Sequence, residues 1–220
     1  LYDNTSTSVA TGVCSSSPIT LTTSTLTEGT HNITATTTDV AGNESAQSTP
    51  ALVIILDTTA ASTPGSAPDL DTASDTGTST TDNITGDTTP TFTGSCTTGD
   101  TVNLYEGATL LGTTLCASSA YTITSSALSD GAHTITIKYQ DPAGNEGSAS
   151  PSLSVTVDGV APSAPTTPDL TAGSDTGSSS TDNITSDTTP SFTLTCTVGE
   201  TITLYDNTST SVATGVCSSS

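Results

Sequence analysis

The chain has 220 residues with 22 acidic side chains, one lysine and no arginine, giving a formal charge of −21. Such a charge repels phosphate backbones and anionic bilayers, so it excludes nucleic acid as a partner and favours hard divalent cations. Apolar residues make up only 31%, with two Phe, five Tyr, and no Trp or Met. A core built from these is thin, and small domains with thin cores need extra staples.

Repetition sets the domain organisation. Leu1–Ser17 (LYDNTSTSVATGVCSSS) is identical to Leu204–Ser220, an offset of 203 (204 minus 1). Within that period lies a weaker repeat of about half the length: Cys14, Cys116 and Cys217 occupy equivalent places, as do Asp57 and Asp158. Repeats this long are whole domains rather than solenoid turns. The expected division is the C-terminal part of one domain at 1–57, a complete domain at 58–158 and the N-terminal part of the next at 159–220. The linker cores, Thr58–Pro68 and Gly159–Pro168, are rich in Ala, Pro and Ser and suit a semi-rigid joint.

In the first part, His31 begins a strand after Glu28-Gly29, Asp39-Val-Ala-Gly-Asn-Glu44 is a loop, and Ala51–Leu56 is an apolar run of strand length, too short to cross a bilayer. No membrane insertion is expected in this segment. Asp69–Pro90 follows the first linker. It is rich in carboxylates and recurs at Asp169–Pro190, with Ser-Asp-Thr-Gly, Thr-Asp-Asn-Ile-Thr and Asp-Thr-Thr-Pro retained. It reads as the joint at each domain entrance, too acidic for a core strand.

Beyond it the pattern is one of short strands. Thr91–Cys96 alternates, with Phe92, Gly94 and Cys96 on one face. Thr101–Glu106 turns Val102 and Leu104 inward, and Thr109–Cys116 follows the Glu106-Gly107 turn. Tyr121 and Ile123 mark a fourth strand. His133, Ile135, Ile137 and Tyr139 give a long alternating one, and Leu153, Val155 and Val157 the last. Some seven short strands without helical period predict an all-β chain of tandem immunoglobulin-like antiparallel β-sandwich domains joined by short acidic linkers.

Taken together, Ser-Asp-Thr-Gly, Thr-Asp-Asn-Ile-Thr, Asp-Thr-Thr-Pro-Thr-Phe-Thr-Gly, Gly-Ala-His-Thr-Ile-Thr and Asp-Pro-Ala-Gly-Asn-Glu resemble the bacterial Ig-like repeats of large surface adhesins and biofilm-associated proteins. The resemblance runs the length of the chain. It implies an Ig-like fold, an extracellular or cell-surface location, a stalk or adhesive role, and calcium at domain junctions. Related repeats usually lack cysteine, and this chain has five.

Cys96 and Cys116 sit at the ends of the first and third strands, and Cys196 and Cys217 repeat the arrangement. A zinc site would need clustered Cys or His, which are missing, so structural disulfides are expected in an oxidising, extracellular compartment. Cys14 is then the second member of a pair whose partner precedes residue 1. Lys138 aligns with Thr36, so a Lys–Asn isopeptide staple is not a feature of the repeat.

Candidate calcium ligands come from three places. Asp57 and Asp158 end a domain's last strand. Asp39 and Asp141, with Asn43, Asn145, Glu44 and Glu146, lie on a loop expected near that same end. Asp69, Asp71, Asp75, Asp82 and Asp87, and later Asp169, Asp175, Asp182 and Asp187, open the next domain. Carboxylates from two domains meeting at a joint repel unless a cation sits between them, and calcium takes six to eight oxygens. The competing reading is that these are ordinary turn formers. Asp75-Thr-Gly and Asp175-Thr-Gly match the aspartic-protease triplet, but no apolar strand is present to build a dry shared-proton site. His31 and His133 lack an accompanying nucleophile and read as strand residues at a turn. An enzyme is not expected. Expected partners are neighbouring repeats of the same chain or, in an alternative filament or sheath, other copies.

Overall fold

In the computed structural model, which describes residues 1–207 and 209–218, strands, turns and loops form and no helix does among the described residues. The chain divides into two compact units, Leu1–Val160 and Ala161–Ser220.

In the first unit, β1 (Tyr2–Asp3), β2 (Thr7–Ser8), β3 (Gly29–Thr34) and β4 (Leu52–Leu56) form one antiparallel sheet in the order β2-β1-β3-β4. The same unit then builds a two-sheet sandwich from β5 (Asp69–Leu70), β6 (Ile84–Thr85), β7 (Thr91–Ser95), β8 (Thr101–Glu106), β9 (Thr109–Leu115), β10 (Ala120–Thr124), β11 (Gly131–Gln140) and β12 (Leu153–Val157). One sheet has the order β10-β7-β5, the other β6-β12-β11-β8-β9. All pairings are antiparallel except β6 with β12.

The alternation read from the sequence is what fills the sandwich. Phe92, Tyr121 and Ile123 from the smaller sheet meet Val102, Leu104, Ile135, Ile137, Tyr139, Val155 and Val157 from the larger one. β10 and β11 bury every second side chain, because successive side chains point to opposite faces. Thr, whose β-branching favours the extended backbone, fills many outward positions. Gly94 is required by packing: a Cβ there would lie 2.6 Å from the Tyr121 hydroxyl on the paired strand.

The acidic stretch departs from its expected role as a joint. It contributes two short strands to the sandwich: β5 pairs with β7 through Leu70 and Phe92, and β6 lies beside β12. Leu70, Thr85, Pro68 and Pro90 are buried. The few apolar and small residues between the carboxylates suffice, because two-residue strands need only one inward side chain each.

In the second unit, β13 (Asp169–Leu170) pairs with β14 (Phe192–Thr193), and β15 (Thr201–Asp206) with β16 (Thr210–Val216). Two disulfides form, Cys96–Cys116 and Cys196–Cys217, as the strand ends imply, and Cys14 is free and exposed. Cys96 follows β7 and Cys116 follows β9, so the first bond ties one sheet to the other.

Candidate functional site

The acidic residues gather at the two ends of the sandwich, and the grouping differs from the one expected. β11 runs ten residues from Gly131 to Gln140, so the Asp141–Glu146 loop after it lies at the opposite end from Asp158, which closes β12. That loop meets the exit of the preceding repeat instead. The Asn145 amide donates to the Asp57 carbonyl at 3.0 Å and to Asp141 Oδ2 at 3.0 Å. A Cβ on Gly147 would lie 2.4 Å from the Ala61 carbonyl oxygen, so only glycine lets the linker lie this close. Ala61 itself packs on the hydrophobic core.

The Asp69–Asp87 stretch goes the other way. β5 is antiparallel to β7 and carries the chain along the sandwich before the acidic loop forms. The loop therefore packs against the exit strand of its own domain: Thr156 N donates to the Asn83 carbonyl at 2.9 Å and Asp158 N to the Thr85 carbonyl at 2.8 Å. The disulfide, although close to this stretch in sequence, lies at the Asp141 end, since Cys116 N bonds the Asp100 carbonyl and Thr101 pairs with Gln140.

Most of the candidate aspartates commit at least one carboxylate oxygen to their own turns. Asp57 Oδ1 accepts from Thr59 N, Asp82 Oδ1 from Ile84 N, Asp182 Oδ1 from Ile184 N and Asp158 Oδ1 from Val160 N. Asp71 Oδ1 accepts from Ala73 N. Asp87 takes the Thr89 amide on Oδ1 and the Ser74 hydroxyl on Oδ2. Asp187 takes Thr189 N likewise, and the donors from Thr189 and Ser174 hold its carboxyl below the usual carboxylate range. Asp39 and Asp141 each accept two backbone amides on Oδ1 and an Asn side chain on Oδ2. Asn43 and Asn145 are the chief causes of their lowered pKa values. Asp69 and Asp169 are exposed. Glu146 bridges Tyr105 and Lys138 at 2.8 Å each, while Glu44 bridges Tyr2 and Thr36. Lys138 and Thr36 thus do one job in two repeats, anchoring the loop glutamate.

Asp75 and Asp175 stand apart. They are 2% and 4% exposed, and each takes one backbone amide on Oδ2 (Asn83 or Asn183, both 3.2 Å). Their Oδ1 atoms are buried without a hydrogen-bond partner. The neighbouring serines explain the Asp-Thr-Gly pattern: Ser74 and Ser174 accept Thr91 N and Ser191 N at 3.0 Å and give their carbonyls to Thr85 and Thr185. The triplet is a loop-building element. The donor set fits calcium in part: it is all oxygen, with one orphaned buried carboxylate oxygen per copy. Among the described residues, however, no group of three or more His, Cys, Asp or Glu that could hold a metal converges.

The two histidines have a role that the sequence reading missed. His31 Nδ1 lies 2.7 Å from Asp3 Oδ2 and Nε2 2.7 Å from the Thr27 carbonyl; His133 makes the matching contacts to Glu106 (2.8 Å) and Ser129 (2.7 Å). Both ring nitrogens face acceptors, an arrangement satisfied in full only by the imidazolium. The signal was present in sequence as an acid on the preceding hairpin at Asp3 and Glu106, but only strand pairing brings it to the ring. For His31 the Thr27 carbonyl and then Asp3 raise the pKa above 6.5. For His133 burial lowers it, and the Ser129 carbonyl and Glu106 together outweigh burial. A raised folded-state pKa stabilises fully below the unfolded value of 6.5 and loses that contribution as pH rises through the folded value. Melting temperature is therefore expected to fall as pH climbs from about 6.5 through the raised folded-state value, and to lose nothing further from the histidines above it. His133→Gln should flatten the slope for the sandwich, measured by calorimetry above the carboxylate range.

Two facing sheets of short antiparallel strands around one core define an immunoglobulin-like β-sandwich repeat. The family model for a bacterial Ig-like domain matches residues 61–159 and again 161–218, and the chain belongs to this family. No curated protein matches it.

Proposed function

We propose that this chain is a non-enzymatic extracellular structural repeat, a disulfide-stapled spacer of a bacterial surface adhesin or biofilm protein, with calcium stiffening its acidic loops. The observation that carries the reading is the joint at residues 57–61. There the exit of one repeat is latched to the next through Asn145 and seated on Gly147 and the core, rather than left as a free tether. A packed joint resists bending, which is what a stalk requires. Two disulfides support an oxidising compartment outside the cytosol.

Calcium is supported by the charge of −21 and by the orphaned Oδ1 of Asp75 and Asp175, which lie in loops supplying further carbonyl and carboxylate oxygens. Calcium would supply charge neutralisation and cross-linking of the loop, and no chemical step. Calorimetric titration of calcium into the chain is expected to give binding heat and a chelator-reversible rise in melting temperature, both reduced in Asp75→Asn. Absence of heat and of any chelator effect removes calcium from the reading. Small-angle scattering tests the spacer itself: Asn145→Ala should loosen an otherwise stiff particle, and an unchanged profile counts against the latch.

A further inference from the structure

The peptide that joins one repeat to the next is held from both sides. The Asp57 carbonyl accepts the Asn145 amide of the following repeat at 3.0 Å. The N–H of the same peptide, on Thr58, donates to Glu28 Oε1 of its own repeat at 2.9 Å, and the Thr58 hydroxyl donates to that oxygen as well. The exit of the complete sandwich carries the same cap: Gly159 N donates to Asp130 Oδ1 at 2.7 Å. Glu28 and Asp130 are equivalent, each standing directly before the glycine that opens β3 or β11. The acid differs in length between the two repeats and the cap persists.

Directly before each capping acid stands the carbonyl that a histidine holds. His31 Nε2 lies 2.7 Å from the Thr27 carbonyl, and His133 Nε2 lies 2.7 Å from that of Ser129. The other nitrogen of each ring faces a carboxylate on the neighbouring strand, Asp3 on β1 or Glu106 on β8. On the opposite flank β4 and β12 meet the histidines with uncharged Ile54 and Val155. Asp3 and Glu106 are the charges that act on the rings, and the capping acids lie one residue beyond the held carbonyls. The chain has no third histidine. Ring, turn, capping acid and exit peptide thus form one connected path, built twice.

From this we infer that each histidine is a proton-controlled latch on the domain exit: the imidazolium fixes the turn before its strand, and the turn fixes the peptide through which the chain leaves. An imidazole that loses a proton keeps one N–H for two acceptors. That hydrogen stays on Nδ1, where the carboxylate makes the stronger, charge-assisted bond. Nε2 then sets a bare lone pair against the Thr27 or Ser129 carbonyl oxygen, and the two repel. The turn moves off the ring, Glu28 or Asp130 moves with it, and the Thr58 or Gly159 amide loses its cap. At the joint after Asp57 the peptide is then gripped by Asn145 alone. Both rings hold their proton above the ordinary histidine value of 6.5, so the latch is shut below that value and opens as pH rises through the folded-state one. The device concerns the exits alone and requires neither calcium nor an adhesin.

The test is an NMR titration of the full chain from about pH 6 to about pH 9, across the range in which histidine changes charge. It follows the ring carbons of His31 and His133 together with the backbone amides of Thr58 and Gly159. The Thr58 amide is expected to shift with the midpoint of the His31 ring, and the Gly159 amide with that of His133. Above those midpoints both amides should exchange with solvent severalfold faster than the intrinsic rise with pH accounts for. In His31→Gln the Thr58 transition should vanish while Gly159 keeps its own, and His133→Gln should do the reverse. The untouched exit in each variant reports that the fold is retained, and the unsubstituted chain decides the matter by itself where a variant loses its fold. Amides that do not titrate with the rings overturn the inference, as do amides that titrate while their exchange keeps to its intrinsic pH dependence. So does a Thr58 transition that survives His31→Gln in a folded chain.

Discussion

Phe92→Ala should lower the unfolding free energy of the 58–158 sandwich by about 3–5 kcal/mol, the range for truncating a fully buried aromatic. The side chain is 0% exposed and lies where the two sheets meet, and the chain has one other Phe and no Trp or Met with which to refill the void. Domain stabilities run to about 5–15 kcal/mol, so this single change removes a large share. The control is built into the sequence. Phe192→Ala alters the twin residue, 42% exposed in its own unit, and should cost no more than about 0.5 kcal/mol, as surface changes do. Urea unfolding followed by circular dichroism reads both. Equal losses for the two substitutions would show that the sandwich does not rest on this core.

Reduction of Cys96–Cys116 should cost about 3 kcal/mol, since the bond closes a loop of 20 residues and the chain-entropy cost of leaving it open grows slowly with length. For a domain of this size that corresponds to a fall in melting temperature of about 12–24 °C. The effect should exceed that of losing any one turn carboxylate, because the disulfide ties β7 to β9 across the sandwich, whereas each turn carboxylate stabilises a few backbone amides. The Cys96→Ala/Cys116→Ala double variant separates loss of the bond from effects of the reductant. A melting curve indifferent to both would make the disulfide incidental.

The strands were legible because alternation is a local property: Val102 and Leu104 were read as inward, Phe92 as lying on one face of its strand, and Ile135, Val155 and Val157 as members of short strands, and all are buried. The disulfide pairs were legible because repeat equivalence placed each cysteine at a strand end. Asp75 was legible as a candidate but not as a buried residue, since its burial depends on β6 folding back beside β12. The histidine clamps were not legible, because Asp3 and His31, or Glu106 and His133, lie on different strands whose pairing register decides whether they meet.

Period, charge and alternation therefore establish a tandem all-β repeat with stapled domains, since each is written in short-range spacing or plain composition. Which acidic loop faces which joint is a different kind of fact. It follows from β5 running antiparallel to β7 and from the ten-residue length of β11, which together send Asp69–Asp87 to the exit of its own domain and Asp141–Glu146 to the exit of the one before. Long-range pairing sets the ends of a sandwich, and residues adjacent in the chain can finish at opposite ends of it.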